Sequence, residues 1–172
     1  MSEKRLFPPH KPNRLEGYDY GSEGVYFLTI CTENRRSYLS RIVARGILDA
    51  PETVLTPYGR IVEETLLHLD REWGSIHVQK YVIMPNHLHI LLQVTETSTG
   101  ASGMPRATDA VVPRFVSSIK RFTNRSCGIR LWQKSYYDHI IRDEADYLMH
   151  FRYIEDNPAK WLEDQYYMEE TL

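Results

Sequence analysis

Residues 80–93 read KYVIMPNHLHILLQ, in which two apolar runs flank the turn sequence MPN. Pro-Asn favours a tight turn, so the pattern predicts two buried strands joined by a short connection. His87 and His89 stand two residues apart at the start of the second strand. Because strand side chains alternate between faces, both imidazoles point the same way, with Cα atoms about 7 Å apart. Such a pair can hold one divalent metal, and the alternative is two strand histidines satisfied by hydrogen bonds.

The composition is that of an ordinary globular protein. The chain has 172 residues, which predicts one domain, with 42% hydrophobic and 26% charged residues. No apolar run is long enough to span a bilayer, and the N-terminus has no apolar segment of the kind found in signal peptides. Cys31 and Cys127 match no zinc or redox spacing. We therefore expect free thiols, a cytoplasmic location and no membrane partner.

Periodicity and turn residues predict the order strand, helix, strand, strand, helix, strand, helix. The strands are predicted at 25–32, 76–84, 87–94 and 130–141, and the helices at 57–73, 111–127 and 144–156. Shorter helices are predicted at 41–48 and 161–168, an irregular basic arm at 1–23 and a flexible loop at 95–110. This order predicts an α+β fold of the ferredoxin-like βαββαβ type, with an antiparallel sheet and an appended C-terminal helix. One face of the sheet is expected to stay open for a ligand, with the histidine pair on a central strand.

Charge is distributed unevenly along the chain, although the net charge is only −2. Residues 110–137 contain six basic residues and no acidic ones, whereas residues 138–172 contain ten acidic and three basic ones. The basic residues are Arg114, Lys120, Arg121, Arg125, Arg130 and Lys134. A polyanion such as DNA would contact the first segment, and the alternative for each residue is a solvated surface charge. Trp132 and its neighbouring tyrosines could stack on unpaired bases, with core packing as the alternative.

The helix predicted at 144–157 has two distinct faces at about 100° per residue. The apolar face consists of Tyr147, Leu148, Phe151 and Ile154. The opposite face consists of Asp146, His150, Tyr153 and Asn157. Packing of the apolar face on the core does not explain why a tyrosine occupies the opposite face at position 153. The alternative explanations are a surface position of Tyr153 or its contact with Trp161.

Two segments of the chain resemble the signatures of a known family. The run MPNHLHILL at 84–92 resembles the His-hydrophobe-His (HUH) signature of single-tyrosine transposases, in particular the REP-associated tyrosine transposase group. The run LWQKSYYDHIIRDEADYLMHFRYIEDNP at 131–158 resembles the second signature of that group. The similarity covers roughly residues 24–161. It implies a single transposase domain over residues 1–172.

The resemblance also implies a reaction and the residues that perform it. Tyr153 corresponds to the family's nucleophile, His87 and His89 to metal ligands, and Asn157 to a third ligand that is often Gln in related transposases. The implied activity is metal-dependent cleavage and rejoining of single-stranded or hairpin DNA through a 5′-phosphotyrosine, with Mg²⁺ or Mn²⁺. His150, one helical turn from Tyr153, is a possible base. The active unit is a monomer or a homodimer.

Other functions remain compatible with the sequence. A metal-dependent hydrolytic nuclease would use the same histidines with water as the nucleophile. A non-catalytic nucleic-acid-binding module could share the fold, since fold does not fix function. An HUH replication initiator or relaxase is a further alternative, although those usually have longer chains.

Overall fold

The computed structural model describes residues 23–44, 50–95 and 111–168. Its strands are β1 (Gly24–Cys31), β2 (Ser40–Val43), β3 (Glu52–Leu55), β4 (Ile76–Ile83), β5 (His87–Val94) and β6 (Tyr137–Ile141). Its helices are α1 (Pro57–Glu72), α2 (Val111–Cys127) and α3 (Glu144–Asp156). Strands β4-β5-β1-β6 form one antiparallel sheet in that order, and β2 and β3 form a separate hairpin. The predicted ferredoxin-like fold is confirmed, with β5 at the centre of the sheet.

The main core lies between the sheet and helices α1 and α2. Alternate side chains of β1 and β5 point into it, because strand residues two apart share a face. Those residues are Tyr26, Leu28 and Ile30 on β1, and Leu88, Ile90 and Leu92 on β5. Thr56 caps the start of helix α1, because its Oγ1 accepts a hydrogen bond from the Gly59 amide at 3.1 Å.

Helix α3 lies on the other face of the sheet. There Ile154 packs in a second apolar cluster with Val82, Met84 and Leu91, which alternate with the residues of the main core. This face was expected to be open, and α3 covers part of it instead. Leu148, predicted in the apolar stripe of α3, is 42% exposed. The helix has only one fully buried residue, so its stripe is narrower than the sequence indicated.

Several predicted element boundaries are wrong. The helix predicted at 41–48 is replaced by strand β2, which pairs with β3, while residues 45–49 lie outside the described part. The fourth strand begins at Tyr137 rather than 130, because Trp132 turns into the core and donates its Nε1–H to Thr123 at 2.7 Å. The last predicted helix is a single 3-10 turn, Trp161–Glu163. Phe122 on α2 is 40% exposed, although its spacing from Phe115 and Ile119 is that of a buried helical stripe.

Other expectations fall partly or wholly outside the described residues. The predicted arm lies outside them except for residue 23, and the predicted loop at 95–110 lies outside them except for residue 95. Cys31 and Cys127 are both free thiols, as predicted. Among the described segments, the helices are too short or too polar to span a membrane.

Candidate metal site and adjoining tyrosine

His87 and His89 face the side of the sheet that α3 covers. The side chains at their partner positions on β1 are Cys31 and Thr29. Both histidines are almost completely buried, at 0% and 1% exposure, and their ring centroids are 4.4 Å apart. The predicted geometry of two imidazoles on one rigid strand is therefore confirmed.

The amide of Asn86 fixes the tautomer of His87. Its Nδ2 donates to the backbone carbonyls of Tyr166 at 2.8 Å and Arg35 at 3.2 Å. Its Oδ1 therefore faces His87 and accepts from the Nδ1–H at 2.9 Å. The Nε2 of His87 is left as the nitrogen with the free lone pair, as in a metal-ligating histidine whose other nitrogen is held by a hydrogen bond.

His89 is held in a similar way. Its Nδ1 lies 2.8 Å from the Thr29 hydroxyl. The Nε2 atoms of both His87 and His89 are buried and have no hydrogen-bond partner among the described residues. Burial lowers the pKa of His87 well below its usual value and lowers that of His89 to about 3. Both rings are therefore neutral at neutral pH, which is the form that binds metal.

Asn157 presents a third acceptor atom close to the same place. It follows α3 immediately and is 2% exposed. Its amide interacts with the His87 ring and partly offsets the lowering of the His87 pKa. Its Nδ2 donates to Asp164 at 2.9 Å, while its Oδ1 is buried and unpartnered within the described segments. The three predicted ligands thus contribute three buried polar atoms with no partner there, of which His87 Nε2 and Asn157 Oδ1 are acceptors.

Asp164 is a site residue that the sequence reasoning missed. Its Oδ2 accepts from the Tyr153 hydroxyl at 3.3 Å as well as from Asn157. A carboxylate oxygen of Asp164 and one ring nitrogen each of His87 and His89 lie within 4.8 Å of one another. No motif spacing pointed to Asp164, because it lies in the segment predicted as a final helix.

Tyr153 faces the sheet next to the histidine pair. Its ring lies 5.2 Å from that of His89 and 5.9 Å from that of Phe27, edge-on in both cases. Burial, and then the negative charge of Asp164, raise its pKa to about 12. The phenol is therefore protonated at neutral pH. A cavity of about 250 Å³ opens beside it and is lined by Tyr153, Asn157, Lys160, Glu163, Asp164 and Gln165.

His150, the possible base, belongs to a separate group of side chains. Its Nδ1 lies 2.9 Å from the backbone carbonyl oxygen of Asp146 and 3.0 Å from the carboxylate of the same residue. Its ring stacks on His139 at 4.7 Å. The hydroxyl of Tyr153 is instead hydrogen-bonded to Asp164.

The structure does not bring the basic residues to the histidine pair. Four of them lie on α2, which packs on the opposite face of the sheet. The Lys120 ammonium donates to three backbone carbonyls, those of Gln133, Lys134 and Ser135, at 2.9–3.1 Å. Trp132 is buried and hydrogen-bonded, so it is not available for stacking on bases.

The other basic candidates have surface positions. The Arg114 guanidinium lies over the Trp73 ring at 5.6 Å, and Arg130 pairs with Glu33 at 3.4 Å. Arg121, Arg125 and Lys134 are exposed. Their contact with DNA remains a prediction.

Known proteins resemble this chain in sequence and in structure. The family model described as "Transposase IS200 like" matches residues 22–157. An uncharacterized protein of Haemophilus influenzae is 32% identical over 171 residues, which cover 91% of this chain and 92% of that protein. A REP-associated tyrosine transposase of Escherichia coli K12 is 26% identical, covering 82% and 70%. The solved structure of a REP-associated tyrosine transposase bound to a REP hairpin matches with a TM-score of 0.57 at 24% identity, covering 80% of this chain and 68% of that one.

Proposed function

The chain belongs to the IS200-like transposases, and we propose that it cleaves and rejoins single-stranded or hairpin DNA through a covalent tyrosine–DNA intermediate. The family resemblance identified from the sequence is confirmed, and it makes the protein a DNA-processing enzyme of transposition. The proposal adds the chemistry, in which His87, His89 and Asn157 hold a divalent metal and Tyr153 is the nucleophile.

The observation that carries the proposal is the set of three buried, unpartnered polar atoms beside Tyr153. A buried polar atom without a partner typically costs about 1–3 kcal/mol, and His87 Nε2, His89 Nε2 and Asn157 Oδ1 have none within the described ranges. A cation would satisfy all three. Two imidazoles and an amide oxygen, with Asp164 close enough to add a carboxylate, form a mixed nitrogen–oxygen donor set that can hold a divalent ion. Mn²⁺ is the proposed ion, or Mg²⁺ with water and phosphate oxygens completing its coordination. When bound, the metal would polarise a phosphate oxygen and orient the scissile phosphate.

Tyr153 attacks the phosphorus of the scissile phosphate. The phenol oxygen forms a bond to phosphorus, the bond to the 3′ oxygen of the preceding nucleotide breaks, and a free 3′-OH remains. One phosphodiester replaces another, so a second 3′-OH can reverse the step without ATP. Because the pKa of Tyr153 is raised to about 12, the phenol must lose its proton as it attacks. Asp164 already accepts the hydrogen bond from the phenol, which makes it a better candidate base than His150.

The relatives and the geometry of the site support the proposed substrate and the proposed active unit. The REP-associated relative and the structural neighbour, which is bound to a REP hairpin, support hairpin DNA as the substrate. His89 and Tyr153 of the same chain lie side by side, which supports a complete site within a monomer.

The test is an adduct assay. Labelled hairpin DNA carrying single-stranded flanks is incubated with the protein and Mn²⁺, and the products are separated on a denaturing gel. We expect a covalent protein–DNA adduct that is lost in Tyr153→Phe and His87→Ala. Tyr147→Phe, on the same helix but packed in the apolar cluster, is the matched control and keeps the adduct.

The two alternative functions predict different products on the gel. Cleavage without an adduct, persisting in Tyr153→Phe, would replace the proposal with a hydrolytic nuclease. DNA binding that survives chelation, with no cleavage at all, would indicate a non-catalytic binding module.

A further inference from the structure

A second group of metal-ligating side chains lies next to the proposed catalytic site. It joins His139 on β6 to Asp146 and His150 on α3. One donor atom from each residue lies within 4.8 Å of the other two. The two imidazole rings are nearly parallel, with centroids 4.7 Å apart and an interplanar angle of 20°. Both rings direct a nitrogen at the Asp146 carboxylate.

The distances fit a small divalent ion. Asp146 Oδ1 lies 3.1 Å from His139 Nε2 and 3.0 Å from His150 Nδ1. Zinc bonds of about 2.0–2.1 Å in a tetrahedral site place donor atoms about 3.3 Å apart. Each imidazole nitrogen therefore needs to move only a few tenths of an ångström away from the Asp146 carboxylate to accept an ion.

Hydrogen bonds hold the three side chains in place but leave their metal-ligating atoms able to bind an ion. Asp146 Oδ2 accepts from the Arg142 backbone amide at 3.0 Å, which holds the carboxylate at the start of α3. His150 Nδ1 contacts the Asp146 carbonyl at 2.9 Å. In an α-helix that carbonyl also accepts a hydrogen bond from a backbone amide one turn later. It therefore keeps a partner if the His150 nitrogen binds a metal instead. His139 is 42% exposed, which leaves one coordination position open to water.

We propose that His139, Asp146 and His150 form a second metal site, selective for Zn²⁺ or a similar borderline ion, that links α3 to β6. Two neutral imidazoles and one carboxylate are the donor set that such ions prefer, whereas Mg²⁺ prefers oxygen ligands. The bound ion joins the helix that carries Tyr153 to the edge strand of the sheet. This site is independent of the proposed strand-transfer chemistry, because it uses none of the ligands of the first site.

The two metal sites are neighbours with different ligands. The Phe27 ring contacts His89 of the first site at 5.0 Å and His150 of the second at 4.6 Å. An aromatic side chain therefore packs against both, and no ligand is shared. The two sites can accordingly be tested separately by mutation.

The experiment isolates the second site by removing the first. In the full-length His87→Ala/His89→Ala protein, Zn²⁺ binding is measured by isothermal titration, and Co²⁺ is used as a spectroscopic probe. We expect one equivalent of Zn²⁺, a visible Co²⁺ spectrum and an increase in melting temperature. Asp146→Asn added to this background lowers the Zn²⁺ affinity by at least about 100-fold, since even the loss of an outer hydrogen-bond partner costs about 10–100-fold.

Two further variants separate ligand loss from damage to the helix start. His139→Phe keeps the ring stack and the cap but removes one donor nitrogen, and we expect the same loss of Zn²⁺. Asp156→Asn removes an exposed carboxylate of the same helix and keeps full binding. The inference is overturned if the double-histidine variant binds no Zn²⁺, or if His139→Phe binds it as tightly as Asp156→Asn does.

Discussion

Asn86 is expected to control metal affinity without being a ligand. It is 1% exposed, and its side chain links His87 to two backbone carbonyls 80 and 51 residues away along the chain. In Asn86→Ala the Nδ1–H of His87 loses its acceptor, so the ring can rotate or change tautomer. The lone pair of Nε2 is then no longer held towards the site.

The size of the effect follows from the role of such outer partners. Loss of the hydrogen bond that orients a metal-ligating histidine lowers metal affinity about 10–100-fold. The same substitution leaves buried polar groups unpaired, which lowers the free energy of unfolding by about 1–3 kcal/mol. The two effects must be separated, because a destabilised protein can also bind metal less well.

The assay measures free Mn²⁺ by electron paramagnetic resonance during titration, with His87→Ala defining the loss of the site. Asn124→Ala is the matched control. It removes an asparagine that accepts from the Leu131 amide at 2.8 Å and that lies on α2, across the sheet from the site. We expect a comparable loss of stability in Asn124→Ala and unchanged Mn²⁺ affinity.

Asn86→Asp tests the tautomer directly. A carboxylate still accepts from the His87 Nδ1–H, as in carboxylate–histidine–metal arrangements, but it cannot donate to the carbonyls of Arg35 and Tyr166. Stability should therefore fall while Mn²⁺ affinity recovers to within about tenfold of the wild-type value. If Asn86→Ala binds Mn²⁺ as tightly as Asn124→Ala does, the orienting role assigned to Asn86 is wrong.

Three other changes test the fold and the site. A Cβ at Gly59 would clash with the backbone oxygen of Leu39, so Gly59→Ala should lower the free energy of unfolding by about 3 kcal/mol or more. Gly74→Ala meets nothing within 4 Å and should change it by less than about 1 kcal/mol, and equal urea midpoints would contradict this. Lys120→Met should destabilise the protein by about 2 kcal/mol with little effect on hairpin affinity. Arg125→Ala on the same helix should reduce the salt dependence of DNA binding by about one unit of log–log slope, and the reverse pattern would refute both assignments. In metal-free protein, burial holds the pKa of His89 at about 3, against 6.5 in an unfolded chain, so the unfolded state binds more protons between these values. Stability should therefore fall as pH drops from about 6.5 towards 3. His89→Leu should flatten this dependence, and unchanged curves in urea titrations would exclude His89 as the cause.

Local patterns predicted the elements whose burial is regular. The bounds of α2 and α3 agree with the predicted ranges, because their apolar residues recur at helical spacing. The β2–β3 hairpin was missed because its strands have only four residues each and contain a single buried side chain, Ser40. The two strands pair with each other across residues 45–49, so no alternation within one short segment indicates the pairing.

The site was predictable only in part. Alternation along a strand placed the two imidazoles on one face, whereas Tyr153 and Asn157 were identified through the family resemblance. The sequence predicts a single buried face on helix α3, whereas two of its sides contact the rest of the protein. Ile154 packs in the apolar cluster, and Tyr153 contacts Phe27 and His89. Asp164 and the orienting bonds of Asn86 depend on contacts that only the folded C-terminal segment makes.

Two asparagine side chains in this site are oriented in the same way. Each of the two amides donates through its nitrogen to a fixed acceptor, Asn86 to backbone carbonyls and Asn157 to Asp164. Each amide oxygen is thereby turned towards the histidine pair, where one selects the tautomer of His87 and the other remains an open acceptor. Residues outside the His-x-His motif therefore decide which atoms can bind a cation. For this reason the spacing of two histidines is a weak signal by itself, whereas the hydrogen bonds around them are specific.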